Sequence, residues 1–196
     1  MRAGDECSLT VVCVSYKRPR EVHVLINSFL CQTSQDFILH MIHDGPDEEM
    51  ETIFESYEQE VGGRFRHTMT PERHNDHGHS LREIGIETAR TPYILITNDD
   101  NYYAPVMVEI CLRVLDSGSD GVLFNMIHNY FGYQTLDVEP KTNHADIGCV
   151  MVRTEHARRV GWRDKSFAGD GTYIEDLTAL PNFMWTKIPM TLFVHN

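Results

Sequence analysis

Residues 9–46 read LTVVCVSYKRPREVHVLINSFLCQTSQDFILHMIHDGP, and the fold class follows from them. Residues 9–14 (LTVVCV) are a nearly continuous apolar run rich in β-branched side chains, the pattern of a strand covered on both faces. Pro19 suits a first helical turn, and Leu25, Ile26, Phe29 and Leu30 share one helical face. Residues 37–42 (FILHMI) read as a second strand, stopped by the turn signal Asp44-Gly45-Pro46. Two strands joined through a crossover of helix length run parallel.

The same alternation continues outward. Asp47-Glu48-Glu49 place negative charge where a helix dipole favours it, and Met50, Ile53, Phe54, Tyr57 and Val61 recur at helical spacing until Gly62-Gly63. Residues 65–69 form a weaker strand. Leu81, Ile84 and Thr88 mark a third helix, and residues 93–97 (YILIT) a strand. Pro105 is expected to open a helix carrying Val106, Ile110, Val114 and Leu115, closed by Ser117-Gly118. Residues 121–127 (GVLFNMI) form a further strand. The expectation is a doubly wound α/β domain with a mostly parallel sheet and helices on both faces.

The second half is less regular. Residues 128–147 read as a surface excursion, residues 148–153 as a strand, and Thr154 as the cap of a short helix ending near Gly161. Gly169-Asp170-Gly171 is taken as a turn signal before Ile174-Glu175-Asp176-Leu177, and residues 190–194 as a last strand.

Composition removes several classes. With 196 residues, 41% hydrophobic and 23% charged, the chain is sized for one core and is too apolar to be disordered. No apolar run nears the roughly 20 residues that span a bilayer. Seventeen basic against 29 acidic residues give a formal charge of −12 and a pI near 5.3, which argues against nucleic-acid binding. A small phosphorylated ligand then needs a metal ion or local cations. Five cysteines (Cys7, Cys13, Cys31, Cys111, Cys149) without a CxxC pair point to small buried hydrophobes in a reducing, cytoplasmic setting.

In parallel sheets ligands bind beyond the carboxyl ends of the strands. Those ends carry Ser15-Tyr16-Lys17-Arg18, His43-Asp44 and Asn98-Asp99-Asp100-Asn101. Adjacent carboxylates repel unless something positive lies beside them. Hard oxygen donors suit Mg²⁺ or Mn²⁺ bridging to a diphosphate, and a solvated turn before Pro105 is the competing reading. No GxGxxG, Walker A loop or GxSxG elbow is present. His74, His77 and His79 (HxxHxH) suggest either a zinc-binding loop or, at His77 or His79, a histidine facing a diphosphate.

The segments LTVVCVSYKRP, FILHMIHDGPD, SLREIGIETARTPYILITNDDNYYAP and IED occur in the order seen in family 2 glycosyltransferases of the GT-A fold. The chain resembles that family from about Leu9 to Asp176. TNDDNYYAP is also similar to the TDDNxYxP run of spore-coat polysaccharide glycosyltransferases, which implies polysaccharide biosynthesis.

The resemblance implies a single GT-A domain over 1–196, with a nucleotide-binding half (1–101) and an acceptor-binding half (102–196). It implies an inverting transfer from a nucleotide sugar, a UDP-sugar, to a carbohydrate or other hydroxyl acceptor, with Mn²⁺ or Mg²⁺. Tyr16 matches the aromatic stacking on the base, beside backbone contacts at Val14 and Ser15, and Asp44 the acceptor of the base imino hydrogen. Asp99 and Asp100 match the DxD-type pair, with Asp100 the direct metal ligand and Asp99 nearer the ribose. Asn98 stands where many relatives carry the first Asp. Arg82 matches a position that steadies Asp99 or a phosphate, against the plainer reading of a pair with Glu83 or Glu87. Asp176 matches the catalytic base with Glu175 as fallback, and His195 is the candidate third metal ligand. Residues 128–147 and 162–172 are expected to shape the acceptor pocket. The alternatives are a nucleotidyltransferase with a similar core and a non-catalytic nucleotide-sugar-binding module. The ending at Asn196 is read as one domain of a longer transferase.

Overall fold

All seven residues of β1 (Leu9–Ser15) are buried, as their double-sided apolar run requires. A computed structural model describes residues 7–196 and builds the domain outward from this strand. β1 is followed by α1 (Pro19–Leu30), β2 (Phe37–His43), α2 (Glu48–Val61), β3 (Phe65–Met69), α3 (His79–Thr88) and β4 (Tyr93–Asn98). Then come β5 (Tyr102–Tyr103), α4 (Met107–Asp116), β6 (Gly121–His128), β7 (Gln134–Leu136), β8 (Val150–Arg153), α5 (Thr154–Val160), α6 (Gly169–Thr178) and β9 (Trp185–His195). Pro19 opens α1, as its fixed φ allows. Asp47 caps α2 by accepting the Met50 N–H.

One nine-stranded sheet runs β3-β2-β1-β4-β8-β6-β9-β5, with β7 paired to β6. The β1–β2, β1–β4, β2–β3 and β6–β9 ladders are parallel and hold most of the paired residues. β8 runs antiparallel between β4 and β6. Helices cover both faces: α1 packs on α2, while α3, α5 and α6 pack in succession on the opposite side. Gly85 lets α3 lie directly on β1, since a Cβ there would come within 2.2 Å of Val12 Cγ1.

Strand order reverses between β1 and β4. Their carboxyl ends lie side by side, Val14 opposite Asn98, and this is the crevice where such sheets bind ligands.

Four expectations shift. The last strand spans Trp185–His195 rather than 190–194. Pro189 hid its first half, because the register against β6 slips around Asn125, and proline is tolerated at such bulges. Residues 147–149 form a 3-10 turn capped by Asp146, so β8 starts only at Val150. α4 begins at Met107 and buries Met107, Val108, Cys111, Leu112 and Leu115, leaving Val106, Ile110 and Val114 at its edge. Gly169-Asp170-Gly171 is the first turn of α6 rather than a loop. A Cβ on Gly169 would lie 2.5 Å from the Asp164 carbonyl oxygen, and one on Gly171 2.6 Å from Thr142 Oγ1. Close packing, rather than a turn, therefore calls for the glycines.

Candidate active site

The chain leaves β1 through Lys17, whose φ of 51° lies in the left-handed region, uncommon for a residue with a Cβ. This turn aims the Tyr16 N–H at Asp99 Oδ2, 3.1 Å away. Asp99 is 3% exposed. Burial pushes its carboxyl up to about 6, opposed by the Arg18 charge and the Tyr16 N–H. Arg18, at the cap of α1, places Nη1 3.3 Å from Asp99 Oδ1 and in direct contact with Asp100 Oδ2. The positive charge that two neighbouring carboxylates require is thus an arginine of the β1–α1 turn.

Asp44 meets this edge from β2. Its N–H donates to the Ser15 carbonyl at 3.0 Å. Its carboxylate accepts the backbone N–H groups of His74 (2.7 Å) and Asn75 (3.0 Å). Arg73 stands 3.9 Å from Asp44 Oδ2 and 3.9 Å from the centre of the Tyr16 ring. His43 stacks beside Tyr16 at 5.9 Å. Val14, Ser15, Tyr16 and Asp44 therefore lie together at one sheet edge, and Arg73, which the strand-end pattern did not single out, shares the face of Tyr16.

Arg82 projects from α3, 4% exposed. It donates to Asn98 Oδ1 at 2.8 Å and to the His77 carbonyl at 2.7 Å. It makes no ion pair with Glu83 or Glu87, and it holds Asn98 rather than Asp99. Asn98 gives this buried cation a neutral acceptor. His79 Nδ1 accepts the Trp162 indole N–H at 2.8 Å, so its Nε2–H donates to the Ser166 carbonyl at 3.0 Å. Burial and the Arg82 charge lower its pKa. With both nitrogens engaged, His79 fastens α3 to the 162–168 segment instead of facing a diphosphate. Among the described residues no group of three His, Cys, Asp or Glu is placed to hold a metal ion, which removes the zinc-loop reading of His74, His77 and His79.

These groups line a cavity of about 920 Å³. Asp146, Asp170 and His195 line it as well. The His195 ring stacks on His128 at 4.1 Å, and its Nε2 lies 3.5 Å from Asp146 Oδ2. The carboxylate it contacts is thus Asp146, not Asp99 or Asp100. Burial and the nearby Asp170 charge raise the Asp146 pKa. Asp170 sits in the first turn of α6, where the helix dipole favours its charge.

The two residues expected to supply the base lie elsewhere. Asp176 is held by Arg163 through two bonds of 2.6 and 2.9 Å, and Glu175 accepts the Thr142 N–H at 2.9 Å. Neither lines the cavity. Six residues separate Asp176 from Asp170, a rotation of about 240° around α6 that takes it off the cavity face.

Residues 10–167 match the model of the family described as glycosyl transferase family 2. The chain belongs to glycosyl transferase family 2. It is 25% identical over 139 residues to an uncharacterised glycosyltransferase of Haemophilus influenzae, covering 68% of this chain and 45% of that protein. S. aureus TarS 1–349 in complex with UDP superposes with a TM-score of 0.80 at 13% identity, covering 95% of this chain and 60% of that one. The UDP-GlcNAc complex gives 0.78 at 13% identity, over 95% and 58%. TarS itself gives 0.79 at 12%, over 96% and 36%. At these identities the likeness shows the fold, that of GT-A glycosyltransferases. The chain spans less than half the length of the Haemophilus influenzae relative. Family membership displaces the nucleotidyltransferase reading.

Within this family 2 domain, sequence reasoning missed Arg18 as the partner of Asp99 and Asp100, and it missed Arg73, Asp146 and Asp170. Arg18 carried a usable signal, since it follows β1 by three residues and faces a strand end with two carboxylates. Asp170 was masked by its flanking glycines.

Proposed function

We propose that this domain transfers a sugar from a UDP-sugar to an acceptor hydroxyl with inversion at the anomeric carbon, and that Asp170 is the base. The observation that carries this reading is one cavity lined together by Tyr16, Asp44, Asp99, Asp100 and Asp170. The UDP and UDP-GlcNAc complexes of TarS support the donor class.

Tyr16 and Asp44 take the base, each carboxylate oxygen of Asp44 keeping a lone pair beyond its backbone bond. Arg18 and Arg73 supply the local cations that let a chain of net charge −12 hold a diphosphate. The acceptor oxygen attacks the anomeric carbon from the face opposite the diphosphate. A carbon–oxygen bond forms there as the bond to the diphosphate breaks, its electron pair leaving with UDP. The hydroxyl proton passes to Asp170, so no covalent nucleophile is needed.

Asp100 and Asp99 also fit a divalent cation. Mg²⁺ and Mn²⁺ take one or two carboxylates plus substrate phosphates rather than an all-protein cage, and this wall offers two hard carboxylates beside open space. Such an ion, when bound, neutralises charge on the departing diphosphate. His195 would join it only by leaving Asp146. A reducing, cytoplasmic location belongs to the same reading. It is supported by Cys31, an exposed free thiol, beside the buried free thiols of Cys13, Cys111 and Cys149.

The test is Asp170→Asn assayed with a panel of UDP-sugars and acceptors. Loss of transfer with UDP binding retained is expected, and wild-type turnover would remove the base role from Asp170.

A further inference from the structure

Large aromatic side chains left in water need a reason when several meet at one place. Tyr130 (78% exposed), Phe131 (57%) and Phe167 (90%) all border the cavity that holds Asp170. Two come from the short turn after β6 and one from the segment before α6, so separate parts of the chain bring them to one mouth. Tyr130 and Phe131 are seated rather than loose: the His128 ring lies 5.2 Å from Tyr130 and 5.4 Å from Phe131, and His195 backs His128.

The charges around this mouth restrict what it can take. The Lys and Arg residues of segments 128–147 and 162–172 are Lys141, Arg163 and Lys165. Each is already paired, with Glu139, Asp176 and Glu83 respectively. Asp146 and Asp170 line the cavity. The other arginines lining the cavity, Arg18, Arg73 and Arg82, are held at the strand ends by Asp99, Asp100, Asp44 and Asn98, so an anionic acceptor would meet carboxylates and no unpaired lysine or arginine. A neutral ligand with hydroxyl donors on one edge and an apolar face suits both features, and a pyranose ring has that form. Its axial C–H groups can lie on the negative face of an aromatic ring, while its hydroxyls reach the carboxylates.

We infer that Tyr130, Phe131 and Phe167 form an acceptor subsite that stacks a neutral pyranose and presents its hydroxyl to Asp170. This rests on the transferase reading above and adds the chemical class of the acceptor.

Saturation-transfer-difference NMR tests it with UDP present. The probes are methyl β-glucoside, methyl α-mannoside, N-acetylglucosamine, cellobiose and chitobiose, with glycerol 3-phosphate as the anionic arm. The rings are exposed, so the paired substitutions F131L/F167L and F131Y/F167Y leave the core untouched. Saturation should reach the ring C–H protons of at least one neutral saccharide, fall at least fivefold in F131L/F167L and persist in F131Y/F167Y, with the UDP-induced thermal shift at the wild-type value in both. No transfer to any saccharide, equal transfer in the leucine variant, or an equal response from glycerol 3-phosphate would overturn the subsite. Binding of wild type but not F131L/F167L to phosphatidylethanolamine–phosphatidylglycerol vesicles, without saccharide transfer, would make the rim a membrane contact and also overturn it. Saccharide binding without any UDP shift would instead sink the donor reading and leave the stacking subsite standing.

Discussion

Arg163 holds Asp176 through two N–H···O bonds, 2.6 Å from Nε and 2.9 Å from Nη2. A carboxylate engaged in this way outside the cavity is poorly placed to accept a proton from an acceptor within it. Asp176→Asn should therefore keep turnover within a few fold of wild type. Asp170→Asn should lose roughly 10²–10⁴-fold, the usual contribution of a general base, with UDP affinity unchanged. Steady-state kinetics of the two variants side by side decides between them.

Much of the domain is legible in the amino-acid sequence. The β1–α1–β2 unit carries its own punctuation in Pro19 and Asp44-Gly45-Pro46, and strand-end logic brings Tyr16, Asp44 and Asp99 to one edge. What escapes depends on contacts between distant segments. Pro189 reads as a strand breaker until β6 is seen to slip its register beside it. Gly169 and Gly171 read as turn residues until His79 and Thr142 are seen pressed against them. The turn reading of these glycines passed over Asp170, the base proposed above, which lies six residues before Asp176 on α6.

His40 gives the acid stability a definite sign. It is 3% exposed, and burial, aided by the Arg66 charge, lowers its pKa to about 3. Between about 6.5 and 3 the unfolded chain binds a proton that the folded chain does not, so stability falls as pH falls through that window. The His40 share of this slope is about 1.4 kcal/mol per pH unit. His40→Gln, which can keep the 2.9 Å bond to Thr68 Oγ1, should flatten the slope. Urea denaturation at pH 7.5, 6 and 5 measures it, and parallel curves for both proteins would contradict the assignment.

Gly85 is where α3 rests on β1. A methyl group there would overlap Val12, so Gly85→Ala should destabilise the fold by about 1–3 kcal/mol despite its better helix propensity. Equal or higher stability in denaturant melts would mean that α3 can shift without cost.

Arg18 compensates Asp99 and Asp100, so it competes with any cation drawn to the same carboxylates. Arg18→Gln should tighten Mn²⁺ binding in the absence of nucleotide, read by calorimetry, while weakening UDP binding through loss of a phosphate-facing charge. Unchanged Mn²⁺ affinity would separate Arg18 from the metal wall.

The proposed transferase holds UDP where β1 and β4 end, against Asp99 and Asp100. Thermal shift by UDP with and without Mn²⁺, in wild type and Asp100→Ala, tests it most directly. A stabilisation that grows with Mn²⁺ in wild type and loses its Mn²⁺-dependent part in Asp100→Ala is predicted; an identical Mn²⁺-dependent shift in both proteins would contradict it.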